Sequence, residues 1–146
     1  MPSDKALFFP VINAVNINTP GVCGQVGELS VKELRASSAA SMSTVTNVTV
    51  ELDGKPLKNL INIKSAVFAT VLPEENIFDS PCEFFGLGNV PAGVYSPSVD
   101  EGIYVKIEQL KVGPHVLHFH AENPAQSFIQ DITYNLNIVP VSVDGK

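Results

Sequence analysis

Residues His115–Ile138 read HVLHFHAENPAQSFIQDITYNLNI, and their alternation of apolar and polar side chains decides the fold class. Successive side chains of a β-strand point to opposite faces, so Leu117 and Phe119 share one face. The second half of the stretch repeats the alternation over a longer strand. Its inward side chains are Phe128, Ile132, Tyr134, Leu136 and Ile138, interrupted by polar Gln130. The short connection predicts an antiparallel pair with one buried cluster of Leu117, Phe119, Ile132, Tyr134 and Leu136.

The same period of two recurs upstream, at Val48, Val50 and Leu52 and again from residue 61 to 72 and from 103 to 107. Asp53-Gly54 predicts a tight turn between strands. One stretch is typical of a helix: Ser30 and Glu33 form a capping box, which predicts a helix over about residues 31–41. Six or seven strands and one short helix predict an all-β antiparallel sandwich that covers residues 1–146 as a single domain.

The charge of the chain is concentrated in one segment. Nine Lys and Arg residues against fifteen Asp and Glu residues give a net charge of −6, which argues against a nucleic-acid partner because phosphate contacts need basic clusters. Residues 73–102 contain no Lys or Arg but hold six acids: Glu74, Glu75, Asp79, Glu83, Asp100 and Glu101. We predict a long acidic loop over about residues 73–102. No apolar run reaches 18 residues, so no transmembrane segment is expected.

Two cysteines, Cys23 and Cys82, lie 59 positions apart without the spacings of a zinc site. Either they form one disulfide or they are two free thiols, and their Pro- and Gly-flanked surroundings favour the disulfide. The first residues, Met1–Asp4, do not form a signal peptide, and a strand-like run begins at Leu7. That start is typical of the mature form of an exported domain.

The segment Leu110–Phe119, LKVGPHVLHF, resembles the E–F corner of bacterial immunoglobulin-like domains, which often read L-x-x-G-x-[YH]-x-L. Residues 128–138 resemble their last strand. More broadly, FFPVINA, LDGKPLKNL, SAVFATVLPEEN and DEGIYVKIEQLKVGPHVLHFHA are similar to exported bacterial proteins that have no assigned activity. This resemblance implies an immunoglobulin-like β-sandwich and a secreted or periplasmic location, and it implies no catalytic residues.

The acidic loop is the first candidate site. Phe84, Phe85 and Tyr95 would supply apolar contacts to a protein or glycan ligand, and the absence of Trp favours a protein. Glu83, Asp100 and Glu101 would form a polar rim; a calcium site is disfavoured because no D-x-[DN]-x-[DN]-G loop is present. The alternative is a solvated connection whose phenylalanines pack on the core.

The three histidines are the second candidate. His118 and His120 share one face of a strand and, given a third ligand, could bind Cu²⁺ or Zn²⁺; the alternative is a solvated outer face. His115 lies on the opposite face and is expected to hydrogen-bond backbone at a corner, where related domains have Tyr.

No nucleophile elbow, P-loop or dinucleotide fingerprint is present, so we predict no enzyme activity and no cofactor. The sequence thus predicts a secreted or periplasmic binding module that uses residues 73–102. The alternatives are an exported copper- or zinc-binding protein and an unrecognised hydrolase. The sequence predicts no particular oligomeric state.

Overall fold

The computed structural model describes residues 1–141, and 49% of the chain is β-strand. The strands are β1 (Leu7–Ile17), β2 (Thr46–Leu52), β3 (Lys55–Pro56), β4 (Leu60–Lys64), β5 (Phe68–Leu72), β6 (Gly93–Ile107), β7 (Gly113–Asn123) and β8 (Phe128–Ile138). The helices are α1 (Val31–Met42) and α2 (Asp79–Phe84), with one 3₁₀ turn at Pro124–Gln126.

The strands form two antiparallel sheets, one with the order β3-β2-β7-β8 and the other with the order β1-β6-β4, in which β5 also pairs with β6. This confirms the predicted all-β class with few helices. The expectation of a single helix is wrong, because α2 lies inside the segment predicted to be a loop. The predicted loop over residues 73–102 is also wrong from Gly93 onward, where β6 begins.

The predicted pairing of the last two strands is confirmed. β7 and β8 are paired without interruption from Gly113 opposite Ile138 to Asn123 opposite Phe128. Within this ladder Leu117 faces Tyr134 across the strands.

The burial predicted for this cluster is only half right. Leu117 and Phe119 are buried, whereas Ile132 and Leu136 are half-buried and Tyr134 is 51% exposed. The reason is sheet order: β8 is the last strand of its sheet, and among the described residues no further strand lies beside Ile132, Tyr134 and Leu136.

Local signals at turns and helix ends are confirmed. Asp53 and Gly54 both have positive φ angles, 52° and 71°, as a two-residue turn between paired strands requires. At the start of α1 the Ser30 amide donates to Glu33 Oε2 at 2.8 Å, and the Glu33 amide donates to Ser30 Oγ at 3.3 Å. The Ser30 hydroxyl, which donates to Glu33 Oε2 at 2.6 Å, is the main reason that the pKa of Glu33 lies below its ordinary value, and the Ser30 amide lowers it further.

The chain divides into two compact units, and β1 and β6 contribute residues to both. The first unit comprises residues 1–13, 41–63 and those from Gly102 onward, and its core includes Val11, Val50, Val105, Leu117, Phe119 and Ile138. The second comprises residues 14–40 and 64–101 and includes buried Leu34, Leu72, Cys82, Val90 and Val99. That residues 1–146 form a single domain stays a prediction.

Phe119→Ala should destabilise the first unit by about 3–5 kcal/mol, because the buried ring contacts the Phe9 ring at a centroid distance of 5.2 Å and leaves a cavity when removed. Chemical denaturation measures the change. Val116→Ala, on the exposed face of the same strand, is the control and should stay within about 0.5 kcal/mol of wild type. Equal midpoints for the two variants would show that the faces of β7 are assigned the wrong way round.

Candidate functional site

A disulfide fixes the segment that carries α2. Cys23 and Cys82 are bonded, with their Cα atoms 5.3 Å apart, which confirms the predicted bridge. Cys82 is buried with Leu72 and Val90 in a small apolar core. We call residues 73–92 the α2 segment; its helix is therefore covalently tied to the loop that precedes α1.

Two polar side chains hold the ends of the α2 segment together. The Asp79 carboxylate accepts the Asn76 amide at 2.9 Å through one oxygen and the Val90 amide at 3.0 Å through the other. The Asn76 side-chain amide donates to the Val90 carbonyl at 2.9 Å. Asp79 thus supports the segment, because both of its oxygens bond to backbone.

The α2 segment presents an aromatic pair to solvent. Phe84 is 84% exposed and Phe85 is 71% exposed. Their ring centroids lie 5.2 Å apart at an interplanar angle of 84°, the edge-to-face arrangement that aromatic pairs favour. Ile77 and Leu87, in the same segment, are exposed as well. The sequence analysis placed Phe84 and Phe85 in an irregular loop, whereas Phe84 ends α2 and Phe85 follows it directly; their role as ligand contacts stays a prediction.

The remaining residues of the predicted site are placed differently. Glu83 is exposed next to Phe84, as a rim residue would be. Tyr95 is half-buried against the disulfide core, and its hydroxyl donates to the Pro91 carbonyl at 2.7 Å. Tyr95 is therefore a packing residue and not an exposed contact.

The structure does not bring Asp100 and Glu101 to the surface. Both are buried in β6, which lies between strands on either side. The Glu101 carboxylate lies 3.5 Å from the Lys64 ammonium. The prediction that Asp100 and Glu101 belong to a polar rim is therefore wrong.

The helix itself was missed because it has only six residues. A weak signal was nevertheless present in the sequence Asp79-Ser80-Pro81. An acid and a proline are both tolerated or favoured in the first turn of a helix.

A cavity of about 450 Å³ lies within the same unit. Its walls include Cys23, Phe78 and Val90 from the disulfide region and Ile17 and Leu34 from β1 and α1. Its polar members are engaged internally: the Gln25 side chain, for example, donates to Asn18 Oδ1 at 2.6 Å and accepts the Thr19 amide at 2.8 Å. The surface that the cavity presents to a ligand is therefore mainly apolar.

His118 and His120 share the outer face of β7, as predicted, and each contacts a carboxylate. His118 Nε2 lies 2.6 Å from Asp131 Oδ1, and His120 Nε2 lies 3.0 Å from Glu122 Oε1. Hydrogen bonding to His118 lowers the pKa of Asp131, and hydrogen bonding to His120 lowers the pKa of Glu122.

Across residues 1–141, no three His, Cys, Asp or Glu side chains are grouped in a way that could hold a metal ion. The copper or zinc role of His118 and His120 stays a prediction. The hydrolase alternative likewise stays a prediction.

His115 occupies the corner position expected from the sequence. Its Nε2 lies 2.9 Å from the Lys111 carbonyl, four residues upstream, and its Nδ1 lies 2.7 Å from Asp53 Oδ2. Both partners are acceptors, so both ring nitrogens must carry a proton to donate. The bond to Asp53 is the main reason that the pKa of His115 is raised, and the same bond lowers the pKa of Asp53.

Comparison with protein-family models, with curated proteins and with solved structures finds no match. The interpretation of the site therefore rests on its geometry. Neither helix in the described part of the chain is long and apolar enough to cross a membrane.

Reduction of the disulfide should lower the free energy of unfolding by about 4 kcal/mol, because the bridge closes a loop with a sequence separation of 59. Denaturant unfolding of the oxidised and the reduced protein measures the difference. Intact mass after alkylation without reductant is the control for the starting state. Two alkylated thiols in protein prepared under oxidising conditions would contradict the bridge.

The pair of His115 and Asp53 should make stability depend on pH. Because the folded state raises the pKa of His115, the protonated ring stabilises the fold below its ordinary pKa of about 6.5, and this contribution is lost as the pH rises through the raised value. The lowered pKa of Asp53 means that its contribution is lost only as the pH falls through that lowered value.

Thermal melting of wild type and His115→Gln at about pH 5.5 and about pH 9 should therefore show the larger difference at the lower pH. Proton NMR of His115 in wild type and in Asp53→Asn is the direct check. The substitution should bring the pKa of His115 back towards its ordinary value. A wild-type pKa at or below the ordinary value would refute the assignment.

Proposed function

We propose that this chain is a non-catalytic binding module of an exported protein, secreted or periplasmic, and that it recognises a protein ligand through the α2 segment. The observation that carries the proposal is the exposed edge-to-face pair of Phe84 and Phe85. Large aromatic side chains that remain in water cost free energy unless a partner covers them, and they are enriched among the residues that dominate binding interfaces.

The attachment of the aromatic pair also supports recognition. α2 is too short to be stable alone, but the disulfide at Cys82 and the carboxylate of Asp79 hold it in place. A surface fixed before binding loses little conformational entropy when the ligand docks. The α2 segment therefore meets the requirement for preorganised recognition.

The exposed charges of the α2 segment indicate the chemistry of the ligand. Glu74, Glu75 and Glu83 are exposed, and residues 73–102 contain neither Lys nor Arg. Complementary charge would come from Lys or Arg at the edge of a partner whose centre is apolar. The apolar cavity of about 450 Å³ beside Phe78 would receive one apolar side chain of that partner.

Two further features support the immunoglobulin-like family and the exported location. The hydrogen bond from His115 to the Lys111 carbonyl reproduces the role of the corner Tyr in such domains, whose hydroxyl bonds to backbone a few residues upstream. Disulfides such as the Cys23–Cys82 bond form and persist in oxidising compartments. Both features support a location of the module outside the cytoplasm.

Selection of peptides from a random phage-displayed library on the immobilised protein tests the proposal. The enriched peptides should combine an apolar centre with Lys or Arg, and Phe84→Ser/Phe85→Ser should weaken their binding by about 30-fold or more, as loss of an interface hot spot does. Fluorescence polarisation with synthetic peptides gives the dissociation constants.

Val71→Ser/Val94→Ser is a matched control, because these two side chains lie opposite each other on β5 and β6 and are 74% and 71% exposed. It should leave peptide affinity nearly unchanged. Equal losses in both double variants would reject the α2 segment as the site. A glycan array run in parallel decides the ligand class: glycan binding that depends on Phe84 and Phe85 would overturn the choice of a protein ligand.

A further inference from the structure

Within the described residues, β8 forms a sheet edge that is open except at its C-terminal end. Proteins commonly shield sheet edges with short strands, prolines, lysines or bulges. β3 has two residues and contains Pro56, and β1 contains Pro10. β8 has eleven residues without Pro, Gly or Lys, and its register with β7 shows no shift. It is a template to which another strand can add.

The N-terminal residues show which backbone groups of β8 face outward. The Met1 amino group donates to the Asn137 carbonyl at 2.7 Å, and the Val139 amide donates to the Met1 carbonyl at 2.9 Å. Since hydrogen-bonding direction alternates along a strand, the odd-numbered residues of β8 face the edge.

Four odd-numbered residues remain beyond the reach of this N-terminal contact: Ile129, Asp131, Thr133 and Asn135. In the described part of the chain only β7 pairs with them, on the other side of β8. Each presents one N–H and one C=O group outward. An extended strand of another chain would supply the hydrogen-bond partners for this row of backbone groups.

An apolar groove of about 410 Å³ lies beneath this edge, within the first unit. Its lining includes Leu117 and Phe119 of β7 and Phe9 of β1. Inward side chains of β8 complete the lining, and among them Tyr134 remains 51% exposed. A strand added beside β8 would place its own inward side chains over this groove.

We propose that the added strand is β8 of a second copy of this chain, paired antiparallel about a two-fold axis at Ile132. In this register Ile129 lies opposite Asn135 of the copy and Asp131 lies opposite Thr133, and each pair occurs twice. All the outward backbone groups of the four residues then find partners. On the inward face, Ile132 meets its own copy, and Phe128 meets Leu136.

Charge selects the second copy and this register. Asp131 is the only charged residue of β8, and it faces a Thr hydroxyl that can donate to its carboxylate. A register centred on Asp131 would place two carboxylates opposite each other, which is destabilising. Registers displaced towards Ile138 would meet residues 1–3, which already occupy that end of the edge. The strand is therefore complementary to itself, as a two-fold interface requires.

Sedimentation velocity at concentrations up to about 100 µM tests the proposal, since an interface of micromolar affinity is well populated there. Wild type should sediment with twice the 15.6 kDa mass of one chain. Thr133→Asp should yield monomers, because it places carboxylates opposite Asp131 of the copy at both symmetric positions. Thr133→Lys, at the same exposed position, should keep or strengthen the dimer by pairing with Asp131.

Thermal melting of both variants confirms that each is folded, and Thr133→Ala is the control for loss of the hydroxyl alone. Should Thr133→Asp fail to fold, Thr133→Pro, which removes only an outward N–H, replaces it and should also be monomeric. A wild type that stays monomeric over the whole range overturns the interface. A Thr133→Asp protein as dimeric as Thr133→Lys overturns the register.

Discussion

The uninterrupted ladder between β7 and β8 is the constraint on which the first unit depends. Because no residue is inserted on either strand, every side chain keeps the face that alternation gives it. Phe119 is thereby directed into the core and His118 to the outer face. A shift of one residue would exchange them, burying two histidines and exposing Leu117 and Phe119. The same regularity keeps β8 straight, so that the edge facing away from β7 can pair with another strand.

Features determined by neighbours in sequence could be predicted from sequence. The turn at Asp53-Gly54, the capping box at Ser30 and the faces of β7 each depend on residues within a few positions, and all appear as expected. Burial along β8 could not be predicted, because it depends on whether another strand lies beyond it. Periodicity records which face a side chain occupies and contains no information about sheet order.

The same distinction between local and long-range features applies to the candidate site. Phe84 and Phe85 were singled out by residue type, and the Cys23–Cys82 bond by its surroundings in sequence. The acids at Asp100 and Glu101 were misplaced because charge alone suggested solvent, whereas β6 runs through the middle of its sheet and buries them. Acid-rich composition is thus a poor guide to exposure where a strand crosses the interior.

The bond between Cys23 and Cys82 also has a consequence for proteolysis. A protease that cuts the chain once between these residues would leave two fragments still joined covalently, so the nicked protein would gain only the mass of one water and would separate into two fragments only when reductant is added. The part of α2 that begins at Cys82 would stay attached to the loop before α1. Such a link would allow Phe84 and Phe85 to stay attached to the rest of the protein after a first cleavage between the two cysteines.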